Sequence, residues 1–284
     1  MKKIQELLKL GYDILKNENI DSYMLDTQLL LGKVLNIDRM AIITNRDFQV
    51  EEQKVKEFLN FIELRKKKMP VKYILKACEF MGFDFYVEPG VLIPRPDTEV
   101  LVEEVLREAK HHNYNKICDV CCGTGAIGIS IAKLLEEVTV DCADISDSAE
   151  RVTEENIKKL NVDKKVKFYK SDLLQYAMMQ DKSFQVIVSN PPYIRTDVIP
   201  TLMEDVKDYE PYIALWGGED GLEFYRKITL QSLEVLEKGG LLAFEIGHDQ
   251  GEAVQSILSA NGFVHIKCIK DLAENDRVVL GFLS

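Results

Sequence analysis

Apolar residues recur at helical spacing through the first third of the chain. Ile4, Leu7, Leu8, Gly11, Ile14 and Leu15 share one face, and Leu25, Leu29, Leu30 and Val34 begin a second stripe. Glu51 to Lys68 carries a third, with Val55, Phe58, Leu59 and Ile62 on one side. Its end, Arg65-Lys-Lys-Lys68, puts cations where they complement the helix dipole, and Pro70 is the stop. That basic run reads as a solvated helix end, the usual fate of such charge. Together the stripes predict a small helical bundle. Phe80-Met-Gly-Phe-Asp-Phe-Tyr-Val87 then alternates aromatic with small or polar residues, Glu88-Pro-Gly90 turns the chain, and Val91 to Ile93 reads as the second strand of a hairpin. Ile93-Pro-Arg-Pro-Asp-Thr-Glu99 opens a helix that Asp97 or Thr98 can cap, and two prolines stiffen Arg95.

From residue 115 the pattern changes to strand–helix alternation. Strands are predicted at Lys116 to Cys121, Val138 to Cys142, Val166 to Tyr169, Phe184 to Val188, Leu241 to Ile246, Phe263 to Ile269 and Arg277 to Phe282. Helices fall at Ala126 to Leu135, Ser148 to Leu160, Gly221 to Leu236 and Gln250 to Leu258. Such alternation predicts an α/β fold, a seven-stranded, mostly parallel, doubly wound sheet. The last two strands, separated by a short connector, are expected to be antiparallel neighbours. Residues 1–78 are therefore read as a small N-terminal all-helical domain, 79–92 as a β-hairpin linker and 93–284 as the sheet domain.

Composition narrows the function. At 46% apolar and 29% charged, the 284 residues are those of an ordinary globular chain, with no apolar run long enough to span a bilayer. The N-terminus has no signal-peptide apolar block, so cytoplasmic residence is expected. Net charge is +3 over residues 1–80 and −14 over the remainder. An acidic catalytic body suits a protein substrate better than a nucleic-acid backbone. Cys118 and Cys121 are spaced C-x-x-C, yet no second pair or His cluster stands at zinc spacing. No metal is expected, and the thiols read as small buried hydrophobes.

Candidate chemistry gathers at the predicted carboxyl ends of the strands, where ligands of such sheets bind. Asp119-Val-Cys-Cys-Gly123-Thr-Gly125 follows the first strand. Its glycines let backbone approach a ligand, or simply make a tight strand–helix turn, and Cys121 stands where a dinucleotide loop has its first glycine. Asp144, closing the second strand beside Ile145, can accept from ribose hydroxyls or cap the next helix, a job for which Ser146 and Asp147 compete. Asp172 closes the third, placed to accept from an adenine amine with Leu173 against the ring. With no P-loop lysine, a nucleoside without a pyrophosphate fits best. The fourth strand stops at Asn190-Pro-Pro-Tyr193. Prolines cannot continue a ladder and hold the loop stiff. An amide acceptor, a rigid carbonyl and a tyrosine ring suit a planar –NH2 group gripped by both hydrogens.

These residues resemble the signature of S-adenosylmethionine-dependent methyltransferases. Ile93-Pro-Arg-Pro-Asp-Thr-Glu99, Leu25-Asp-Thr-Gln-Leu-Leu-Leu31, Tyr209-Glu-Pro-Tyr-Ile-Ala-Leu215, Gly217-Gly-Glu-Asp-Gly-Leu222 and Asn275-Asp-Arg-Val-Val279 further resemble the HemK/PrmC family, in order, from about residue 20 to the C-terminus. The resemblance implies a Rossmann-like class I methyltransferase fold. It implies S-adenosylmethionine as cofactor (S-adenosylhomocysteine as product), held by Asp119, Cys121, Cys122, Gly123, Thr124, Gly125, Asp144, Ile145, Asp172, Leu173 and Asn190. The implied reaction is N5-methylation of the glutamine in the Gly-Gly-Gln loop of class I peptide chain release factors. Asn190, Pro191 and Tyr193 would be catalytic, Pro192 and Arg95 would also touch substrate, and the helical domain would dock the protein partner. No direct nucleic-acid or membrane partner is implied. The chain departs from the family pattern at Cys121 and Cys122, at Asp97, often glutamate, and at Leu173, aromatic in some members. Two other substrates share the chemistry, a ribosomal-protein glutamine and the exocyclic amine of adenine in DNA or RNA; the latter demands base flipping and phosphate binding.

Overall fold

Gly11 lets the first two long helices, Ile4–Asn17 and Tyr23–Leu35, approach closely: a Cβ there would lie 2.5 Å from Thr27 Cγ2. With Glu52–Lys66 they bury Ile4, Leu7, Leu15, Leu30, Leu31, Phe58 and Ile62 in one core. The computed structural model describes all 284 residues, in two units. The helical unit is Met1–Ala77 with Met203–Tyr209; the sheet unit is Cys78–Leu202 with Glu210–Ser284. The first contains one two-residue ladder, Lys2–Lys3 on Gln49–Val50, and is otherwise helical.

Two expectations for the helical unit need correction. Leu25 is 41% exposed, and Asp26 and Thr27 occupy the buried face instead. Arg65 is no part of a solvated helix end; it is buried and donates to Asp26 Oδ2 at 2.7 Å, where Ser22 Oγ also donates at 2.7 Å. A buried, paired guanidinium is what turns Asp26 inward, because neither charge is tolerated alone in such a place. Residues 203–209 join this unit through, among others, the Tyr209 hydroxyl, which donates to the Lys67 carbonyl.

The sheet unit begins with a hairpin tighter than the pattern suggested. Cys78–Phe80 pairs with Phe83–Phe85 across Met81 and Gly82, whose φ of 52° and 75° are those of a two-residue type I′ turn. Val91 to Ile93 makes no strand; Val91 packs instead on Ala149 and Val152. Seven strands form the main sheet: β1 (Lys116–Val120), β2 (Thr139–Asp144), β3 (Val166–Lys170), β4 (Phe184–Ser189), β5 (Leu236–Glu245), β6 (Phe263–Lys270) and β7 (Asp276–Leu283). Their spatial order is 3-2-1-4-5-7-6, with only β7 antiparallel to its neighbours. Strand β5 starts at Leu236, five residues before the predicted Leu241, because Leu236 pairs with Phe184 and the chain bulges through Gly239 before the ladder resumes. Successive residues of β4 serve opposite cores: Val186 and Val188 pack under helices Glu99–His112 and Ala126–Leu134, Ile187 under Glu223–Val235 and Gly251–Ala260.

Register is what builds the site. Val120 pairs with Ala143 on one side and Ser189 on the other. The residues that follow, Cys121, Asp144 and Asn190, therefore emerge side by side where the strand order reverses between β1 and β4.

Candidate active site

At that switch point the chain leaves a cavity of about 290 Å3, near the lower end of ordinary small-molecule sites (~300–1,000 Å3). Of the residues singled out in the sequence, Cys121, Gly123, Asp144, Ile145, Asp172, Leu173, Asn190 and Pro192 line it. Asp119, Cys122, Thr124 and Gly125 are buried and do not line it. Fully buried Asp119 accepts from the Gly128 amide at 2.8 Å and starts the following helix, while its Oδ1 has no hydrogen-bond partner. Burial pushes this carboxyl up to about 7, against the bond from Gly128. The loop backbone is tied to helix Asp147–Lys159: Thr153 donates to the Gly123 carbonyl (3.0 Å) and Asn156 to that of Thr124 (2.9 Å). Gly125, at φ +74°, packs so near Thr153 that a Cβ would meet its Cγ2 at 2.9 Å.

Asp144 accepts the Gly123 amide through Oδ2 (2.9 Å) and the Ser146 amide through Oδ1 (3.0 Å). Burial raises its pKa, and those backbone bonds oppose the rise. Helix Asp147–Lys159 is capped by Ser146, whose hydroxyl accepts from Ser148 and Ala149, so Asp144 has no capping role. Its carboxylate faces the cavity with lone pairs to spare. Exposed Asp172 holds Gln175 Nε2 at 3.3 Å, and Leu173, at φ 52°, turns its buried side chain onto the cavity wall. An apolar wall comes from Ile213, Trp216 and Phe224, and Gly90 to Leu92 also border the cavity.

The loop after β4 is held from several directions. Ser189 Oγ donates to the Val120 carbonyl at 2.6 Å, and Gln250 Nε2 donates to that of Tyr193 at 3.0 Å. Gly217 passes so close that a Cβ would lie 2.5 Å from Tyr193 Cα. Asn190 Nδ2 donates to Thr98 Oγ1 at 3.3 Å, and the Tyr193 hydroxyl donates to Glu245 Oε1 at 3.3 Å. Burial pushes the Tyr193 phenol well above its ordinary range. Pro191 and Tyr193 do not border the cavity. Arg95 spends its charge on buried Glu210 (2.7 Å), anchoring the segment that leads to Pro211 and the apolar wall.

Sequence reasoning missed the apolar wall, Thr98 and Glu245. Glu245 is likewise an acid closing a sheet strand, but it fell inside the predicted strand Leu241 to Ile246 rather than at its end. Thr98 was read only as a cap. No three His, Cys, Asp or Glu side chains converge as metal ligands, and no helix is long and apolar enough to cross a membrane.

A mostly parallel sheet wound in this order, with carboxylates and a proline-stiffened amide at its switch point, is the body of a methyltransferase. A family model described as the Methyltransferase small domain matches residues 95–205. A methyltransferase from Pyrococcus furiosus has the same fold, with TM-score 0.52 and 18% identity over 74% of this chain and 93% of that one. The PrmC N-terminal domain model matches residues 6–75. The chain is 54% identical to the release factor glutamine methyltransferase of Clostridium acetobutylicum over 98% of both chains. It is 55% identical to that of Clostridium botulinum, over 97% of this chain and 98% of the other. It belongs to the family of release factor glutamine methyltransferases.

Proposed function

We propose that this enzyme transfers a methyl group from S-adenosylmethionine to the side-chain nitrogen (N5) of the glutamine in the Gly-Gly-Gln loop of class I peptide chain release factors. The observation that carries the reading is Asn190: it borders the cavity with its Nδ2 committed to Thr98, which leaves Oδ1 as an acceptor for an incoming amide. The cavity residues fit the cofactor. Gly123 borders the cavity and a Cβ there would meet nothing within 4 Å, room for a ligand to lie against bare backbone. Asp144 has lone pairs for two ribose hydroxyls, and Asp172 with Leu173 suits an adenine edge and face. Loop residues Asp119, Cys122, Thr124 and Gly125 serve the cofactor indirectly, by shaping the backbone under it.

When bound, the cofactor supplies a methyl on a sulfonium, an electrophile that needs no further activation. The glutamine nitrogen is a poor nucleophile because its lone pair is delocalised into the carbonyl. Alignment is therefore the protein's main contribution, and holding reactants in line is worth ~7–11 kcal/mol. Asn190 Oδ1 and the Pro191 carbonyl accept the two amide hydrogens, aim the nitrogen, and set negative potential where positive charge develops. Pro192 holds the turn, and Tyr193, tied to Glu245, walls the amide plane. After transfer the surplus amide proton passes to solvent. Arg95 steadies the approach to this loop through Glu210. Docking of the release factor falls to the helical unit, which exposes Met24, Leu25, Ile37, Met40 and Phe48.

Labelled S-adenosylmethionine incubated with purified class I release factor, intact or with its Gly-Gly-Gln glutamine replaced, tests the reading. Label in the intact factor alone is expected. Label in both, or in neither while structured RNA or a ribosomal protein is labelled, would overturn it.

A further inference from the structure

Two prolines make the loop after β4 a stiff rod. Pro191 and Pro192 have a fixed φ and no amide hydrogen, and a residue before proline is held extended, so Asn190 and Pro191 have little freedom of their own. Where such a loop sits is decided at its ends. The near end belongs to the sheet: Ser189 pairs with Val120 and Phe244, and its hydroxyl donates to the Val120 carbonyl at 2.6 Å. The far end is Tyr193, whose carbonyl is held by a side chain from the loop after β5. We propose that Gln250 is a positioning residue for methyl transfer: its amide fixes the Tyr193 carbonyl and so places the Pro191 carbonyl and the Asn190 side chain for the substrate nitrogen. The inference rests on the roles given to Asn190 and Pro191 above.

Gln250, 8% exposed, uses both ends of its amide. Nε2 donates to the carbonyls of Tyr193 (3.0 Å) and Gly221 (3.1 Å). Oε1 accepts the Gly247 amide (2.9 Å) and shares the Tyr225 hydroxyl with the Glu245 carbonyl (3.2 and 3.0 Å). Carbonyls can only accept and the Gly247 amide can only donate, so a single orientation of the side chain satisfies them all. Glu245 ends β5 and Gly247 follows it, so Oε1 is anchored at that strand end while Nε2 reaches the loop after β4, the neighbouring strand. Position 250 is also the N-cap of helix Gly251–Ala260, where short polar side chains are favoured because they reach the first-turn amides. Gln250 makes no cap bond there; its longer side chain spends the amide on Tyr193 instead.

The surroundings are built for this grip. A Cβ on Gly221 would lie 2.6 Å from the Tyr193 oxygen and 2.7 Å from Gln250 Nε2, and one on Gly217 would lie 2.5 Å from Tyr193 Cα. Bare backbone at both glycines lets the segment 217–222 come near enough to share the same amide. Ile194, the next residue, bonds to Leu215 (2.9 Å) and Gly217 (2.8 Å), and Gln250 joins the loop and the glycine segment alike to the end of β5. Gln250 does not border the cavity at the switch point, so its loss should spare the cofactor.

Gln250→Met keeps the length of the side chain and removes both donors. With its far end released, the loop is expected to lose about ten- to a hundredfold in kcat, the cost of a displacement approaching ~1 Å, with the Kd for S-adenosylhomocysteine within about threefold of wild type. Gln250→Glu presents a carboxylate to two carbonyl oxygens, and only its protonated form can donate to them. A carboxyl buried in that way titrates well above its ordinary range, so kcat relative to wild type should fall at least about tenfold from pH 6 to pH 9. The same ratio for Gln250→Met should stay flat. Arg195, Asp220, His248 and Asp249, which border the same small cavity as Gln250, are common to all three enzymes. In an Asn190→Ala background Gln250→Met should cost little more, because residues acting through one another are not additive. A Gln250→Met enzyme within threefold of wild-type kcat, a flat ratio for Gln250→Glu, or a loss of cofactor binding matching the loss of kcat would overturn the proposal while leaving the Asn190 assignment standing. An active Asn190→Ala enzyme would remove the assignment and the proposal with it.

Discussion

Asp144→Asn perturbs a carboxylate that already serves two backbone donors before any ligand arrives. Its oxygens accept from Gly123 at 2.9 Å and Ser146 at 3.0 Å. Asparagine has one acceptor end, so one of these amides must face an –NH2 group, disturbing the stretch of backbone proposed to lie against the cofactor. The bonds left for ribose hydroxyls also change class. A hydrogen bond to a charged group is worth ~1.5–3 kcal/mol net and a neutral one ~0.5–1.5, so the ribose contacts alone lose about 1–2 kcal/mol. With the loop disturbance, a total of about 2–3 kcal/mol corresponds to a roughly 30- to 150-fold rise in Kd. Calorimetric titration with S-adenosylhomocysteine reads this directly, and kcat at saturating cofactor should change far less, because Asp144 is not among the groups assigned to the substrate amide. Burial raises the Asp144 pKa, so the anion proposed to bind ribose is lost on acidification sooner than an exposed aspartate would be, and cofactor affinity should weaken as pH falls into that range. A Kd within threefold of wild type would refute the ribose assignment.

Asp119 gives a stability prediction with the opposite pH sense. Its folded carboxyl titrates at about 7 against an ordinary 3.8, so between those values the folded chain holds a proton that the unfolded chain has released. Stability contributed by this group is complete below the lower value and is lost as pH rises towards the upper one. Urea unfolding should therefore show Asp119→Asn gaining on wild type by on the order of 2 kcal/mol between pH 5 and pH 8; a constant difference would mean the buried carboxyl is not protonated. Gly217→Ala drives a methyl against the Tyr193 backbone, 2.5 Å away, and should lower kcat at least about tenfold through displacement of the asparagine loop, with cofactor Kd little changed. Asp26→Ala strands the buried Arg65 guanidinium and should cost about 3–5 kcal/mol in denaturant unfolding of the full chain; a loss under about 1 kcal/mol would contradict the pairing.

Most of the sheet was legible because its central strands are buried on both faces, and a run such as Phe184 to Val188 has no other stable home. The proline stop after Ser189 and the acids closing β2 and β3 marked the edge of the cavity for the same reason: polar residues at strand ends stand out against apolar runs. What stayed hidden was decided by partners distant in sequence. Asp26 faces inward only because Arg65, 39 residues on, meets it. Thr98 looks like a cap until Asn190, 92 residues away, is seen to use its hydroxyl. Val91 is apolar enough for a strand, but Ala149 and Val152 take it as a core contact, and Gly90 beside it borders the cavity. Residues 203–209 carry no local sign that they pack with the first 77.

The central claim is that Asn190 grips the substrate amide, and single-turnover methyl transfer by Asn190→Ala, alongside its cofactor Kd, tests it most directly. A rate at least a hundredfold below wild type, with cofactor Kd within threefold, is predicted. Transfer at near the wild-type rate would contradict the account.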